Sequence, residues 1–101
     1  MSVLIATKFT GDTDAFTNSL TTRAAEYREI ADRAKAAGAL HHQFAVGDGF
    51  VVIMDEWETQ DAFRTFFADP GLQGFIASVG GDASAPPEVL AGEKIDSPDK
   101  F

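Results

Sequence analysis

Residues Phe50–Glu58, FVVIMDEWE, form the segment of the sequence that decides the fold. Their β-branched and aromatic side chains predict a strand, in which successive side chains point to opposite faces of the sheet. Two apolar sets result: Val51, Ile53 and Trp57 on one face, and Phe50, Val52 and Met54 on the other. A sheet covered by helices on one side and by water on the other alternates more cleanly than this. We therefore expect helices on one face and a second copy of the chain on the other.

The segments on either side of this strand predict its neighbours. Gly47-Asp48-Gly49 predicts a tight turn, because glycine adopts positive φ without steric cost, and this turn joins an antiparallel strand at Leu40–Val46. Strict alternation places one set of side chains on a single face of that strand: Leu40, His42, Phe44 and Val46. After the central strand, Thr59 and Asp69-Pro70 predict two helix starts. The apolar faces of these helical segments are Ala62, Phe63, Phe66 and Phe67, and then Leu72, Phe75, Ile76 and Val79.

The N-terminal part predicts one strand and one helix. Residues Val3–Phe9 alternate as a strand does, and Gly11 ends it. Asp12 is the predicted N-cap of a single helix that runs to about Ala37, where Gly38 supplies the stop. The apolar stripe of this helix is Phe16, Leu20, Ala24, Tyr27, Ala31 and Ala34.

The order of elements predicts the fold class. After Pro86-Pro87, residues Glu88–Ile95 read as a last strand and residues Asp96–Phe101 as a tail. The order is therefore β-α-β-β-α-β, an α+β fold of ferredoxin-like topology with two helices on one face of a four-stranded antiparallel sheet. A chain of 101 residues fits a single domain spanning 1–101. A domain of this size often gains stability from a partner subunit.

Composition narrows the range of partners. The formal net charge is −8, and the basic residues form no cluster, so we expect no binding to nucleic acid or to an anionic membrane. The longest apolar run, Phe50–Met54, is too short to span a bilayer. No cysteine is present to form a disulfide, a thiol nucleophile or a thiolate zinc site, and the N-terminus does not read as a signal peptide. We expect a cytoplasmic protein.

A resemblance to a known superfamily follows from three local motifs and the element order. The motifs are Asp55-Glu56-Trp57-Glu58-Thr59, Ala62-Phe63, and Asp69-Pro70 to Phe75-Ile76. Together they resemble the dimeric α+β barrel superfamily, and within it the antibiotic-biosynthesis-monooxygenase-like domains, over nearly the whole chain. The resemblance implies a homodimer that packs sheet against sheet. It also implies a ligand cavity between each sheet and its own helices, lined by Trp57.

The same resemblance bears on cofactors. The haem-degrading branch of the superfamily uses a histidine on the second helical region, and residues 61–79 contain none. That branch also needs an asparagine near the end of the first strand, and the cofactor-independent oxygenases use one beside the bound phenol. The one asparagine of this chain, Asn18, lies in the first helix instead. These departures argue against haem turnover, and the missing asparagine also argues against the phenol chemistry of the cofactor-independent branch. We expect no cofactor.

Two residues are candidates for catalysis. Histidine ordinarily exchanges a proton near neutral pH, so His42 on an apolar strand face is a candidate general base, or else a buried structural histidine. Asp55 shares a strand face with Trp57 and is a candidate partner for His42 or for a ligand, unless the strand has already reached solvent there. His41 and His42 are adjacent on a strand and point to opposite faces, so they cannot chelate one metal together. We expect no metal site.

Four aromatic residues are candidates for ligand contact. Trp57 offers a ring that can stack on a flat ligand, and Tyr27 offers a hydroxyl; packing is the alternative for both. Phe66 and Phe67 are adjacent, so one of them is expected to form the cavity wall or a subunit contact while the other packs in the core.

Two functional hypotheses remain open. One is a cofactor-independent monooxygenase-like enzyme acting on a small aromatic, phenolic or quinone-type ligand, with His42 as base and Asp55 as its partner. The other is a non-catalytic homodimeric module that binds a small molecule or serves as a scaffold. A cavity beside Trp57, with His42 and Asp55 converging on it, discriminates between them.

Overall fold

A four-stranded antiparallel sheet carries helices on one face in the computed structural model, which describes residues 2–82 and 84–101. The sheet order is β2-β3-β1-β4, which confirms the predicted ferredoxin-like topology with β1 and β3 at the centre. The elements are β1 Val3–Thr10, α1 Thr13–Thr22, α2 Ala24–Ala37, β2 Ala39–Val46, β3 Phe50–Trp57, α3 Gln60–Phe67, α4 Pro70–Ser78 and β4 Glu88–Glu93.

The helix starts predicted from capping residues are confirmed. Asp12, Thr59 and Asp69 each accept a hydrogen bond from the backbone N–H three residues later, at 3.0–3.1 Å. Such bonds satisfy amides that the first helical turn leaves without partners. Gly38 ends α2 at a φ of 120°, a left-handed conformation that favours glycine.

The prediction of one helix over Asp12–Ala37 is wrong in one respect. The helix is interrupted at Arg23, whose backbone dihedrals of −124° and 31° lie outside the helical region. Ser19 rather than Leu20 is buried in α1, while the stripe residues Phe16 and Tyr27 still pack together across the break, with ring centroids 6.4 Å apart. The guanidinium of Arg23 donates to the hydroxyl of Ser78 at 2.6 Å, and this bond connects the break to the end of α4.

Strand β2 departs from the strict alternation that was predicted. Ala39 lies opposite Trp57, and the register then shifts so that His41 lies opposite Glu56. Leu40 is the extra residue of this β-bulge, so it does not continue the alternation of His42 and Phe44, and it is 46% exposed.

The two faces of the sheet have different surroundings. The face toward the helices holds two buried apolar clusters: Ile5, Trp57 and Phe63, and then Phe16, Val51 and Val79. The opposite face, called here the open face, presents Leu4, Met54 and Leu90, each about half exposed or more. This pattern matches the two-sided hydrophobicity of β3 that the sequence showed.

The last strand is shorter than predicted. It ends at Glu93 rather than Ile95, and every residue of β4 is exposed. Val89 faces the helix side and Leu90 faces the open side, so this edge strand is covered on neither face within a single chain. None of the helices among the described residues is long and apolar enough to cross a membrane.

Candidate functional site

A cavity of about 380 Å³ lies between the sheet and the helices. Members of both apolar clusters line it, including Trp57 and Phe66 at one end and Phe16 and Val79 at the other. The core of the protein therefore consists of two separate clusters, and the cavity lies between them. Its volume and largely apolar wall are typical of small-molecule binding sites.

His42 and Asp55 form a close pair at this cavity. They lie directly opposite each other on β2 and β3, and the distance from His42 Nδ1 to Asp55 Oδ1 is 2.6 Å. The Asp55 side chain is 5% exposed, so the alternative that β3 has reached solvent at this point is wrong. Buried carboxylates require partners, and His42 supplies one.

His42 is more accessible than the sequence suggested. Its side chain is 43% exposed in the single chain, whereas the apolar face of β2 predicted burial. The reason is the position of β2 at the edge of the sheet, where no further strand covers it. The ring still packs edge-on against Phe44 at 4.7 Å, and both residues line the cavity.

Trp57 supplies the second partner of Asp55. The two residues are separated by one position on β3 and therefore share a face, and the indole Nε1–H donates to Asp55 Oδ2 at 3.1 Å. Trp57 is only 1% exposed, with Phe63 and Phe66 packed on its ring at centroid distances of 5.9 and 5.4 Å. Each oxygen of the Asp55 carboxylate thus has one side-chain partner.

Tyr27 lines the cavity with its ring, while its hydroxyl is engaged elsewhere. Ser19 donates to the backbone carbonyl of Phe16 at 2.5 Å, and the Tyr27 hydroxyl lies 2.7 Å from the Ser19 oxygen. Because serine has one proton to donate, Tyr27 is the donor in this pair. Burial raises the pKa of Tyr27 above its ordinary value, although the bond to Ser19 and the charge of Arg23 oppose the shift.

Both Phe66 and Phe67 line the cavity, so the expectation that only one would do so is wrong. The two rings project from the end of α3 with their centroids 6.2 Å apart, and both are within reach of the cavity. Phe44 and Phe75, which the sequence placed on the apolar faces of their elements, also form part of the wall. Apolar spacing indicates burial, and it does not distinguish a packed residue from one that faces a hollow.

Residues that sequence reasoning missed lie mainly on α1 and α2. Ser19 orients the Tyr27 hydroxyl, and Lys35 is the one lysine or arginine in the cavity lining among the described residues. Neither stands out in the sequence, because Ser19 falls outside the apolar stripe and Lys35 belongs to a polar helix face. The His41 imidazole is directed toward Glu56 on the other face of the sheet, as alternation predicted, although His41 also belongs to the cavity lining. Across residues 2–82 and 84–101, no group of three or more metal-binding side chains occurs.

Comparison with solved structures defines the fold. SnoaB, a cofactor-independent oxygenase from Streptomyces nogalater, matches with a TM-score of 0.57 at 17% identity, over 98% of each chain. The ActVA-Orf6 monooxygenase of Streptomyces coelicolor, solved with the ligand nanaomycin D, matches with a TM-score of 0.60 at 20% identity, over 95% of this chain and 89% of that one. A dimeric ferredoxin-like protein from an uncultured marine organism matches with a TM-score of 0.59 at 12% identity, over 95% and 93%.

The fold is therefore that of the antibiotic-biosynthesis-monooxygenase-like α+β proteins, in agreement with the resemblance noted in the sequence. Identities of this size establish similarity of fold, and function has to be argued from the site. No family model matches the sequence, and no curated protein matches it.

Proposed function

We propose that this protein is a cofactor-independent monooxygenase-like enzyme that binds a small phenolic or quinone-type aromatic in the cavity. The observation that carries the proposal is the His42–Asp55 pair at the wall of an aromatic-lined cavity of about 380 Å³. A cavity of this kind excludes water from a flat apolar ligand, and the pair supplies a base at its wall. The activity of SnoaB and the ligand-bound form of ActVA-Orf6 support the proposal by analogy of fold.

The proposed chemistry begins with proton removal from the ligand. Asp55 accepts from Nδ1–H of His42, which leaves the lone pair of Nε2 free to take the phenolic proton. The resulting phenolate is electron-rich and reacts with dioxygen directly. One oxygen atom bonds to a ring carbon, which loses its hydrogen, and the O–O bond breaks. The other oxygen leaves as water with that hydrogen and with the phenolic proton returned by His42, so that the phenol becomes a quinone and supplies all four electrons. The phenylalanines and Tyr27 shape the wall around the ring.

We also propose that a second copy of the chain covers the open face. Leu4, Met54 and Leu90 form an apolar centre there, and a charged perimeter is supplied by Lys8, Glu56 and Glu88. A two-fold arrangement places the same surface on both copies, so an apolar centre meets an apolar centre. The dimeric state of the ferredoxin-like neighbour supports a dimer.

Dioxygen uptake in the presence of naphthols and anthrones tests the proposed activity. We expect His42→Ala to lower the turnover of any accepted compound by roughly 100-fold or more, since a general base contributes about that much. Gln43→Ala is the control, because Gln43 is next to His42 on β2, points to the other face of the sheet and does not belong to the cavity lining, so turnover should be retained. Full turnover by His42→Ala overturns the mechanism. Binding of these compounds without oxygen uptake supports the non-catalytic module instead.

A further inference from the structure

The environment of Trp57 indicates a role other than contact with the ligand. With 1% of its surface exposed and with Phe63 and Phe66 on its ring, the indole offers little area for stacking. Its polar atom is nevertheless used, since Nε1–H donates to Asp55. A tryptophan N–H can only donate, so the direction of this bond is fixed.

We propose that Trp57 is a positioning residue that holds the Asp55 carboxylate and, through it, sets which ring nitrogen of His42 carries the proton. Asp55 Oδ2 is held by the indole at 3.1 Å, and Oδ1 is thereby directed at His42 Nδ1 at 2.6 Å. Each oxygen of the Asp55 carboxylate therefore faces one side-chain nitrogen. An ionised Asp55 can only accept, so neutral His42 carries its proton on Nδ1 and presents Nε2 without one.

The relative positions of His42, Asp55 and Trp57 follow from the geometry of β2 and β3. Asp55 and Trp57 share a face of β3 by alternation, and the register of β2 brings His42 opposite Asp55. All three side chains line the cavity. The catalytic importance of this arrangement rests on the proposed function, whereas the arrangement itself can be tested in the resting protein without a substrate.

Nitrogen-15 NMR of the histidine rings measures the inference directly. In the unaltered protein, neutral His42 is expected to have its proton on Nδ1. Trp57→Phe keeps an aromatic ring and removes the N–H, so we expect the ratio of the Nδ1–H to the Nε2–H form to fall about tenfold, as for the loss of a hydrogen bond to a charged group. Phe66→Leu is the matched control, because it loosens the packing of the indole and keeps its N–H. An unchanged ratio in Trp57→Phe, or an equal change in Phe66→Leu, overturns the proposal.

A second measurement covers the case in which Trp57→Phe does not fold. Trp57 is the one tryptophan of the chain, so its indole N–H gives a single NMR signal. If the indole and the imidazole share one carboxylate, this signal should shift with pH in step with the His42 ring signals, and the coupling should disappear in Asp55→Asn. An indole signal that does not follow His42 contradicts the proposal. Neither measurement depends on oxygen uptake, so failure of the proposed enzyme activity leaves both results interpretable.

Discussion

Two acid–histidine pairs lie back to back on the sheet. The inner pair, His42 and Asp55, is on the helix side, and its closest atoms are 2.6 Å apart. The outer pair, His41 and Glu56, is on the open side, with a separation of 4.0 Å and a histidine that is 81% exposed. Successive residues of the same two strands supply both pairs, so the sequence alone gives little reason to treat them differently.

The partners of each acid distinguish the two pairs. Asp55 is held by an indole and an imidazole at the wall of a cavity. Glu56 is held by the hydroxyl of Ser2 at 2.6 Å and the ammonium of Lys94 at 3.3 Å, which connect it to the residues that flank β1 and β4. The inner pair lies at the wall of the cavity, where the proposed chemistry needs it, whereas the outer pair connects the ends of strands. Residue type therefore says less about role than the face of the sheet does.

The largest expected effect concerns the open face. Met54→Asp places a carboxylate in the apolar centre of the proposed dimer interface, where it has no partner. We expect the dissociation constant of the dimer to rise by roughly 100-fold or more, measured by light scattering after size exclusion. Leu20→Asp, at an exposed apolar position on α1, is the control and should leave the dimer intact. A monomeric unaltered protein at micromolar concentration contradicts the proposed dimer.

The next effect compares the two acids. Asp55→Ala leaves the buried Trp57 N–H without an acceptor, so we expect the free energy of unfolding to fall by about 2–3 kcal/mol. Glu56→Ala is expected to cost less, because water can reach its partners Ser2 and Lys94. Denaturant unfolding of both variants gives the comparison. If both variants lost the same free energy of unfolding, burial would not explain a difference in stability between the inner pair and the outer pair.

A smaller effect is expected at acid pH. The hydrogen bond from Ser2, together with Lys94 and His41, holds the pKa of Glu56 below its ordinary value of 4.5. Stability from this group is therefore present above the unfolded-state value and is lost as pH falls through the folded-state value. The drop in melting temperature between about pH 6 and pH 3 should be smaller in Glu56→Gln than in the unaltered protein. Glu29→Gln, on an exposed helix face, should retain the full drop.

The smallest effect is expected at alkaline pH. Because burial raises the pKa of Tyr27, the folded state favours its protonated form, and the associated stability is lost as pH rises above the ordinary value of 10.0. As the pH rises above 10.0, the melting temperature should therefore fall less in Tyr27→Phe than in the unaltered protein. Tyr27 is the one tyrosine, so tyrosinate absorbance follows it alone. Half-ionisation at or below the ordinary value would contradict the shift.

Much of the fold was predictable because it depends on local patterns. The apolar character of both faces of Phe50–Glu58 indicated a strand covered on both sides, and the caps at Asp12, Thr59 and Asp69 marked three helix starts. The interruption at Arg23 was not predictable in the same way. The hydrogen bond that holds it joins Arg23 to Ser78, and the two residues are far apart in the sequence.

The candidate site was predictable in its residues and not in its geometry. Which histidine meets Asp55 depends on the bulge at Leu40, since an unbroken register from Ala39 would place His41 opposite Asp55. A bulge arises from the fit of a whole strand to its neighbour, and no single residue in the sequence predicts it. The exposure of His42 depends likewise on β2 being an edge strand, which is a property of the assembled sheet.

The divided core has a practical consequence for finding the natural ligand. A molecule that fills the cavity between the two apolar clusters would add contacts that the protein alone lacks, and it would stabilise only the folded state. Melting temperature can therefore serve as the signal in a screen of a chemical library. Such a screen would identify what the hollow accepts even where no product is formed.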